Sequence, residues 1–319
     1  MSNSNSYPIW NKSLAIFTKN PFAHYYSNLE TEERVNLLFM INYIKSAKNI
    51  IWIRLGTHLD GENDLKLFTE YIHYLKYPVT LITTDGDTSV PDEIPNDIVT
   101  TLLNSPMIIN WYTQNLSSTD TKIRPYPIGF DLHTHYGDYI NHYREWDSLL
   151  KIKNKAPLKR KKQIYCDFYH SMYERHDRSR EEAYKLLKKM KYTIFPKDRL
   201  PRNKLWKQYT ESQFVASPHG DGLDCYRTWE ALALGAIPIV KRSTLDQLYI
   251  DNNLPVVIVD SWEECLLPKN LELWWNKYSP LLSSVMDKLE TSYWFPDTED
   301  SNSLGSKNPC SIKSFPNPI

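Results

Sequence analysis

Arg227 and Glu230 stand three residues apart, so on a helix they share one face. A guanidinium suits a phosphate through paired N–H donors, and a carboxylate suits a pair of hydroxyls. Just upstream runs His219-Gly220-Asp221-Gly222, a loop whose glycines let backbone N–H groups approach a ligand. The helix that follows would offer the positive end of its dipole, which completes an anion site. Phosphate plus diol is the chemistry of a nucleotide sugar. His219 could donate to the phosphate or sugar, or equally cap a strand end. Arg-x-x-Glu is also an ordinary surface pair, but here it follows a strand and a glycine loop, where ligands bind in open α/β sheets. Two rival fingerprints fail: Gly220-x-Gly222 leads to Cys225 where a dinucleotide site wants Gly or Ala, and no Gly-Lys-Ser/Thr follows.

The surrounding stretch, Ser212 to Arg242, reads as one βαβ unit. Phe214 to Ser217 is a strand, Asp224 an N-cap, Tyr226 to Leu234 a helix, Gly235 its stop, and Ile237 to Val240 the next strand. Upstream, the spacing of Leu37, Met40, Ile41 and Ile44 predicts a helix within Thr31 to Ala47, before a buried strand Asn49 to Leu55. A helix over Asp64 to Leu75 and a strand over Val79 to Thr84 continue the alternation. A helix near Asp97 to Leu103 comes next, then strands near Met107 to Tyr112 and Lys122 to Ile128, each too apolar for an edge, and a helix Tyr139 to Ile152. The basic run Lys155 to Lys162 divides this from a second half, with strands Gln163 to Phe168, Tyr192 to Phe195 and Pro255 to Asp260. Helices over Asp177 to Met190 and, broken at Pro280, over Pro268 to Glu290 complete it. The expected organisation is an N-terminal lobe 1–155, a C-terminal lobe 156–290 and a tail 291–319 partly docked on the first lobe.

A chain of 319 residues, 41% apolar and 24% charged, is long enough for two lobes with real cores. Its 38 Lys+Arg balance 38 Asp+Glu, which removes the broad drive toward nucleic acid or anionic membrane. The four cysteines are scattered without a Cys-x-x-Cys, as in a reducing compartment. No apolar run reaches the roughly 18–20 residues that span a bilayer, and the N-terminus lacks a leader pattern. The expectation is a cytoplasmic protein, in the host cytoplasm if viral, with no membrane span.

Arg227, Glu230, Ala231, Leu232, Gly235, Ile237, Pro238 and Ile239 together resemble the Arg-x-x-Glu-Ala-Leu-x-x-Gly-x-Ile/Val-Pro-Ile/Val signature of exostosin-like glycosyltransferases, and best their soluble virus-encoded or bacterial members. The resemblance is strong over roughly 30 residues and co-linear over most of the chain. It implies an α/β GT-B fold, two Rossmann-like doubly wound lobes facing each other across a cleft, with the donor in the second lobe and the acceptor in the first. It also implies that Glu230 holds the nucleotide ribose and Arg227 the diphosphate, and that the loop carrying Arg175, Arg178 and Arg180 faces the diphosphate. The donor site is thus His219, Gly220, Asp221, Gly222, Arg227, Glu230 and Arg175. Retaining relatives carry a glutamate eight positions before the helix glutamate; here that position is Gly222, so inversion is expected. The segment Lys122 to Thr134 is similar to a Pro-Ile/Leu-Gly-Ile/Phe-Asp stretch that lines the cleft of such first lobes.

Inversion requires a base across the cleft, after a strand's carboxyl end, and the candidates are Asp60, Asp87 and Asp131 in that first lobe. Asp60 has Gly56 and Gly61 for close approach, Asp87 a turn before Pro91, and Asp131 ends the segment just described. Asp85-Gly86-Asp87 also imitates the metal-binding Asp-x-Asp of the GT-A fold, against a plain solvated turn, and His133-x-His135 lacks a third ligand at motif spacing. The expectation is no cofactor and no metal, a UDP-linked sugar donor with a lean to xylose, and a glycan hydroxyl as acceptor. The alternatives are a metal-dependent GT-A transferase and a non-catalytic carbohydrate- or nucleotide-binding module.

Overall fold

The computed structural model describes residues 8–29, 33–56, 63–118, 120, 122–132, 142–168 and 179–294. Asp60, His58, Gly61, His133, His135, Arg175 and Arg178 lie outside them, as does the chain beyond Trp294. Two short helices, α1 (Leu14–Phe17) and α2 (Ala23–Asn28), precede α3 (Leu37–Lys45) and β1 (Ile50–Arg54). Next come α4 (Asp64–Glu70), β2 (Val79–Thr84), α5 (Asn96–Asn104), β3 (Ile108–Thr113), β4 (Ile123–Pro125) and α6 (His142–Lys153). The second half holds β5 (Lys161–Tyr165), α7 (Ser179–Leu187), β6 (Thr193–Ile194), α8 (Arg202–Glu211), β7 (Ser212–Ala216), α9 (Tyr226–Ala233) and β8 (Ile237–Lys241). It ends with α10 (Asp246–Asp251), β9 (Val257–Val259), α11 (Pro268–Tyr278) and α12 (Thr291–Trp294), with short 3₁₀ turns between.

The strands form two parallel sheets, ordered β1-β2-β3-β4 and β6-β5-β7-β8-β9. The first does not reverse, so it is not doubly wound as expected. With right-handed crossovers stepping one way, its helices gather on one face, where α4 packs between α3 and α5. The second sheet does reverse, because β6 lies on one side of β5 and β7 on the other. That leaves a topological switch point at the carboxyl ends of β5 and β7, the crevice in which open α/β sheets bind ligands.

Alternation along the second sheet shows why both its faces must be covered. Ile164, Cys166, Phe214, Ala216, Ile237 and Ile239 face a compact core against α7 and α11. Tyr165, Val215 and Val240 face the other way, into a larger core shared with the first sheet. Trp52, Trp111 and Trp229 are fully buried in that shared core. In the first sheet the tryptophan N–H groups are satisfied by threonines, Trp52 Nε1 by Thr84 and Trp111 Nε1 by Thr83, each at 2.8 Å.

Several boundaries differ from expectation for local reasons. Asn36 caps α3 by accepting from the Phe39 amide, so the helix starts well after Thr31. The helix from Asp64 stops at Glu70 and tightens into a 3₁₀ turn over Ile72–Tyr74. The strand near Lys122 is only three residues and forms the sheet edge; Tyr126 and Ile128 are buried instead by neighbouring segments, with an isolated bridge from Trp10 to Gly129 nearby. The break expected at Pro280 comes at Tyr278, and Pro280 sits within a 3₁₀ turn. α1, α2, α8 and α10 carry no counterpart in the sequence reading.

Asp224 is not the N-cap of α9, a position held by Cys225 without a side-chain bond. Its buried carboxylate instead joins the two halves, accepting from the Ile128 amide at 2.8 Å, the Cys225 amide at 2.9 Å and Trp229 Nε1 at 2.9 Å. Its own amide donates to Asn115 Oδ1 at 2.9 Å. At the far end, Thr291 Oγ1 donates to the Pro8 carbonyl, and Trp294 packs edge-on against both Tyr126 and Trp229. Asp224→Ala strands two buried N–H donors, of Ile128 and Trp229, and a half-buried one of Cys225, at about 1–3 kcal/mol each. Denaturant titration of that variant should show a loss of at least about 3 kcal/mol in unfolding free energy; a midpoint near wild type would deny the carboxylate this joining role.

Candidate active site

A cavity of about 340 Å³ opens at the switch point. After β5 come Asp167 and Phe168, from α7 comes Arg180, from α8 come Arg202, Leu205 and Tyr209, and from the loop and start of α9 come Asp221, Tyr226, Arg227 and Glu230. Asp131, beyond the first sheet, closes the opposite wall.

The helical phase that put Arg227 and Glu230 on one face holds, and each has a partner. Arg227 Nε donates to Asp167 Oδ1 at 2.6 Å, and Tyr209 Oη donates to Asp167 Oδ2 at 2.9 Å. Burial works against the charge on Arg227, yet Asp167, Tyr209 and Cys225 together hold the guanidinium above its ordinary value. The bond uses one of the five donors a guanidinium has. Glu230 is 6% exposed and accepts from Trp206 Nε1 at 2.9 Å. Burial pushes its carboxyl up to about 7, against the pull of Arg202 and the Trp206 bond.

Arg202, at the first position of α8, spans the two halves. Its Nη1 donates to the Asp131 carbonyl at 2.6 Å and to Glu145 on α6, while Nη2 meets the Asp131 carboxylate. Burial opposes this charge too, but Glu230, Asp131 and Glu145 raise the guanidinium above its usual value. Among the described residues four arginines line the cavity, Arg180, Arg199, Arg202 and Arg227, beside Asp131, Asp167, Asp221 and Glu230.

The glycine loop is organised differently from expectation. Gly220 N–H donates to the Gly222 carbonyl at 3.0 Å, so that amide closes the loop on itself. A Cβ on Gly222 would come within 2.7 Å of Asn115 Nδ2, and its lack of a side chain therefore admits Asn115 of the first half. At Gly220 the same test meets the Arg180 guanidinium, whose Nε donates to the His219 carbonyl at 2.9 Å. His219 is buried, with Nδ1 2.9 Å from the Leu223 carbonyl, which suits the strand-end role as well as a ligand role.

Of the base candidates among the described residues, Asp131 lines the cavity and Asp87 does not; Asp60 lies outside the described residues. Asp87 is exposed on the loop after β2, and its charge reaches Tyr226 and Cys225. Asp85 is buried with a left-handed φ of 61°, accepts from Asn11 Nδ2 at 3.0 Å and pairs with Lys12 at 3.4 Å. The Asp-x-Asp pair is thus split between the interior and the surface. Among the described residues no three His, Cys, Asp or Glu side chains gather to hold a metal, and no helix is long and apolar enough to cross a membrane.

The residues missed from sequence are Asp167, Arg199, Arg202, Trp206 and Tyr209. Three of them sit on α8, and the signal was present: Pro201 opens the helix, and Arg202, Leu205, Trp206 and Tyr209 recur at helical spacing. Asp167 carried no local signal, because only the sheet brings it to Arg227.

Residues 143–273 match the family model described as the RXYLT1 C-terminal domain, a span from α6 into α11 that holds every cavity residue except Asp131. Among solved structures the chain is similar to a UDP-forming α,α-trehalose-phosphate synthase from Burkholderia xenovorans, at 12% identity and a TM-score of 0.41, over 89% of this chain and 82% of that one. No curated protein matches it in sequence.

Glu230 ties the site to pH. Its folded value lies above the unfolded 4.5, so its contribution to stability is present in full below that value and is lost as pH rises through about 7. Thermal melts should show a midpoint that falls between about pH 5 and pH 8, and Glu230→Gln should flatten part of that fall. Parallel profiles for the two proteins would mean the carboxyl titrates in its ordinary range.

Proposed function

We propose that this chain is an inverting glycosyltransferase of GT-B architecture that takes a UDP-linked sugar in the switch-point cavity and transfers it to a glycan hydroxyl. The observation that carries the reading is the joint placement of Arg227 and Glu230 in one cavity at the carboxyl ends of β5 and β7. The family match over the same residues supports it and favours xylose as the transferred sugar.

In this reading Glu230 accepts the ribose hydroxyls, and Trp206 and Arg202 keep its carboxylate oriented. Arg227, steadied by Asp167, meets the diphosphate. As the bond from the anomeric carbon to the leaving oxygen breaks, negative charge grows on the diphosphate, and Arg227, Arg180 and Arg199 stand around it without any cation from solution. Asp131 takes the proton of the attacking hydroxyl, since of the two candidates among the described residues it shares the cavity with the donor residues. Asp87 is the second candidate, across Tyr226.

Calorimetric titration with UDP tests the donor site. Arg227→Ala and Glu230→Gln should each weaken binding roughly ten- to a hundredfold, the worth of one or two charge-assisted bonds. Arg227→Lys should recover only part of the loss, because paired planar geometry is gone. Wild-type titrations in folded variants would remove the assignment. Asp131→Asn should lower turnover of UDP-xylose by about 10²–10⁴ with UDP affinity nearly intact, measured as UDP released with acceptor present. Turnover that vanishes in chelator and returns with manganese would instead favour a metal-dependent transfer.

A further inference from the structure

α8 separates two cavities. Arg202, Leu205 and Tyr209 look into the one already described, while Asn203, Lys207 and Thr210, on the other side of the helix, line a second of about 700 Å³. The far wall of this second cavity comes from α6 and from the segment joining α6 to β5.

Its charge is one-sided. Lys151, Lys155, Lys159, Lys161 and Lys207 line it, and Glu211 is the one acidic side chain among its lining residues. Lys161 Nζ meets Glu211 Oε2 at 2.6 Å, so that pair cancels. The other four lysines form no ion pair among the described residues. A chain with equal numbers of acidic and basic groups has therefore gathered four unneutralised ammonium groups around one concavity. All four are exposed, so water and salt screen much of their mutual repulsion, while a multiply charged anion seated among them meets several ammonium groups at once.

The size lies within the roughly 300–1,000 Å³ of small-ligand sites. Asn203 adds a neutral amide donor that can bond to an oxyanion, whereas the Ser148 and Thr210 hydroxyls donate to the Arg144 and Lys207 carbonyls. Among the described residues no aromatic side chain lines the cavity, so these walls offer no stacking platform of the kind single-stranded nucleic acid needs. We propose that this cavity is a binding site for a small, multiply charged oxyanion of the phosphate- or sulfate-ester class, separate from the switch-point cavity. The anion can be a free molecule or a group carried on an oligosaccharide, and the shared chemistry is two or more negative charges on tetrahedral oxyanions.

The test titrates the full chain with inorganic pyrophosphate, and in a second arm with a sulfated oligosaccharide beside its neutral counterpart of equal length. Lys151→Gln, Lys155→Gln and Lys207→Gln are combined in one variant, and Arg227→Ala is run alongside because a diphosphate could also enter the other cavity. The site predicts an affinity that drops at least about tenfold in the triple variant, persists in Arg227→Ala, and weakens as salt rises from about 0.05 to about 0.5 M. In the Arg227→Ala background pyrophosphate should raise the thermal midpoint, and adding the three lysine substitutions should abolish that rise, with the melt itself showing the variant folded. Binding of pyrophosphate alone identifies a free anion, and binding of the sulfated but not the neutral oligosaccharide identifies a chain-borne one. A triple variant that titrates like wild type, or binding by neither probe, overturns the proposal. Loss of binding in Arg227→Ala alone overturns it too, by placing the anion in the switch-point cavity.

Discussion

The structure turns on the buried carboxylate of Asp224. It takes N–H groups from Ile128 at the end of the first half and from Cys225 and Trp229 of the second, and its own amide reaches Asn115 beyond β3. Burial pushes this carboxyl up to about 7 although three donors favour its ionised form, so the junction is held by directional bonds at a net electrostatic cost. Those bonds set where α9 begins relative to the first sheet. Arg227 and Glu230 ride on that helix, so the same contact that joins the halves also aims the cavity.

Arg202 provides the second tie and has a different character. One guanidinium reaches the carbonyl and carboxylate of Asp131 and the carboxylate of Glu145, while its charge also acts on Glu230. A planar group with five donors can serve several acceptors where an ammonium would serve one direction at a time. The consequence is that the wall from the first half and the floor from the second are electrostatically coupled. A ligand that draws Glu230 toward its ionised form is stabilised by the same arginine that fixes Asp131.

The cavity carries a tension common in functional sites. Glu230 is held where its ionised form is disfavoured by burial, and Arg227 is held by an acid that an incoming anion must compete with. In the proposed reading, these are the groups that a phosphate and a diol would satisfy. On the reverse side of α8, exposed lysines of like charge line a second cavity.

By itself the sequence determined the strand-helix alternation and the helical phase of α9. Val79–Thr84 is a strand at the expected bounds, Gly235 ends α9 in a left-handed φ of 76°, and Arg227 and Glu230 share a face because a helix repeats every 3.6 residues. These depend on local hydrophobic period and backbone sterics, which are written along the chain. Tertiary structure alone decided the order of strands, the switch point between β5 and β7, and the partners Asp167, Arg202 and Asp131 that gather around the pair. It also decided what the glycines are for, since Gly222 makes room for Asn115, more than a hundred residues away in sequence. Contacts of that separation form when sheets pair and cores close, and no short-range pattern encodes which distant side chain will fill a given space.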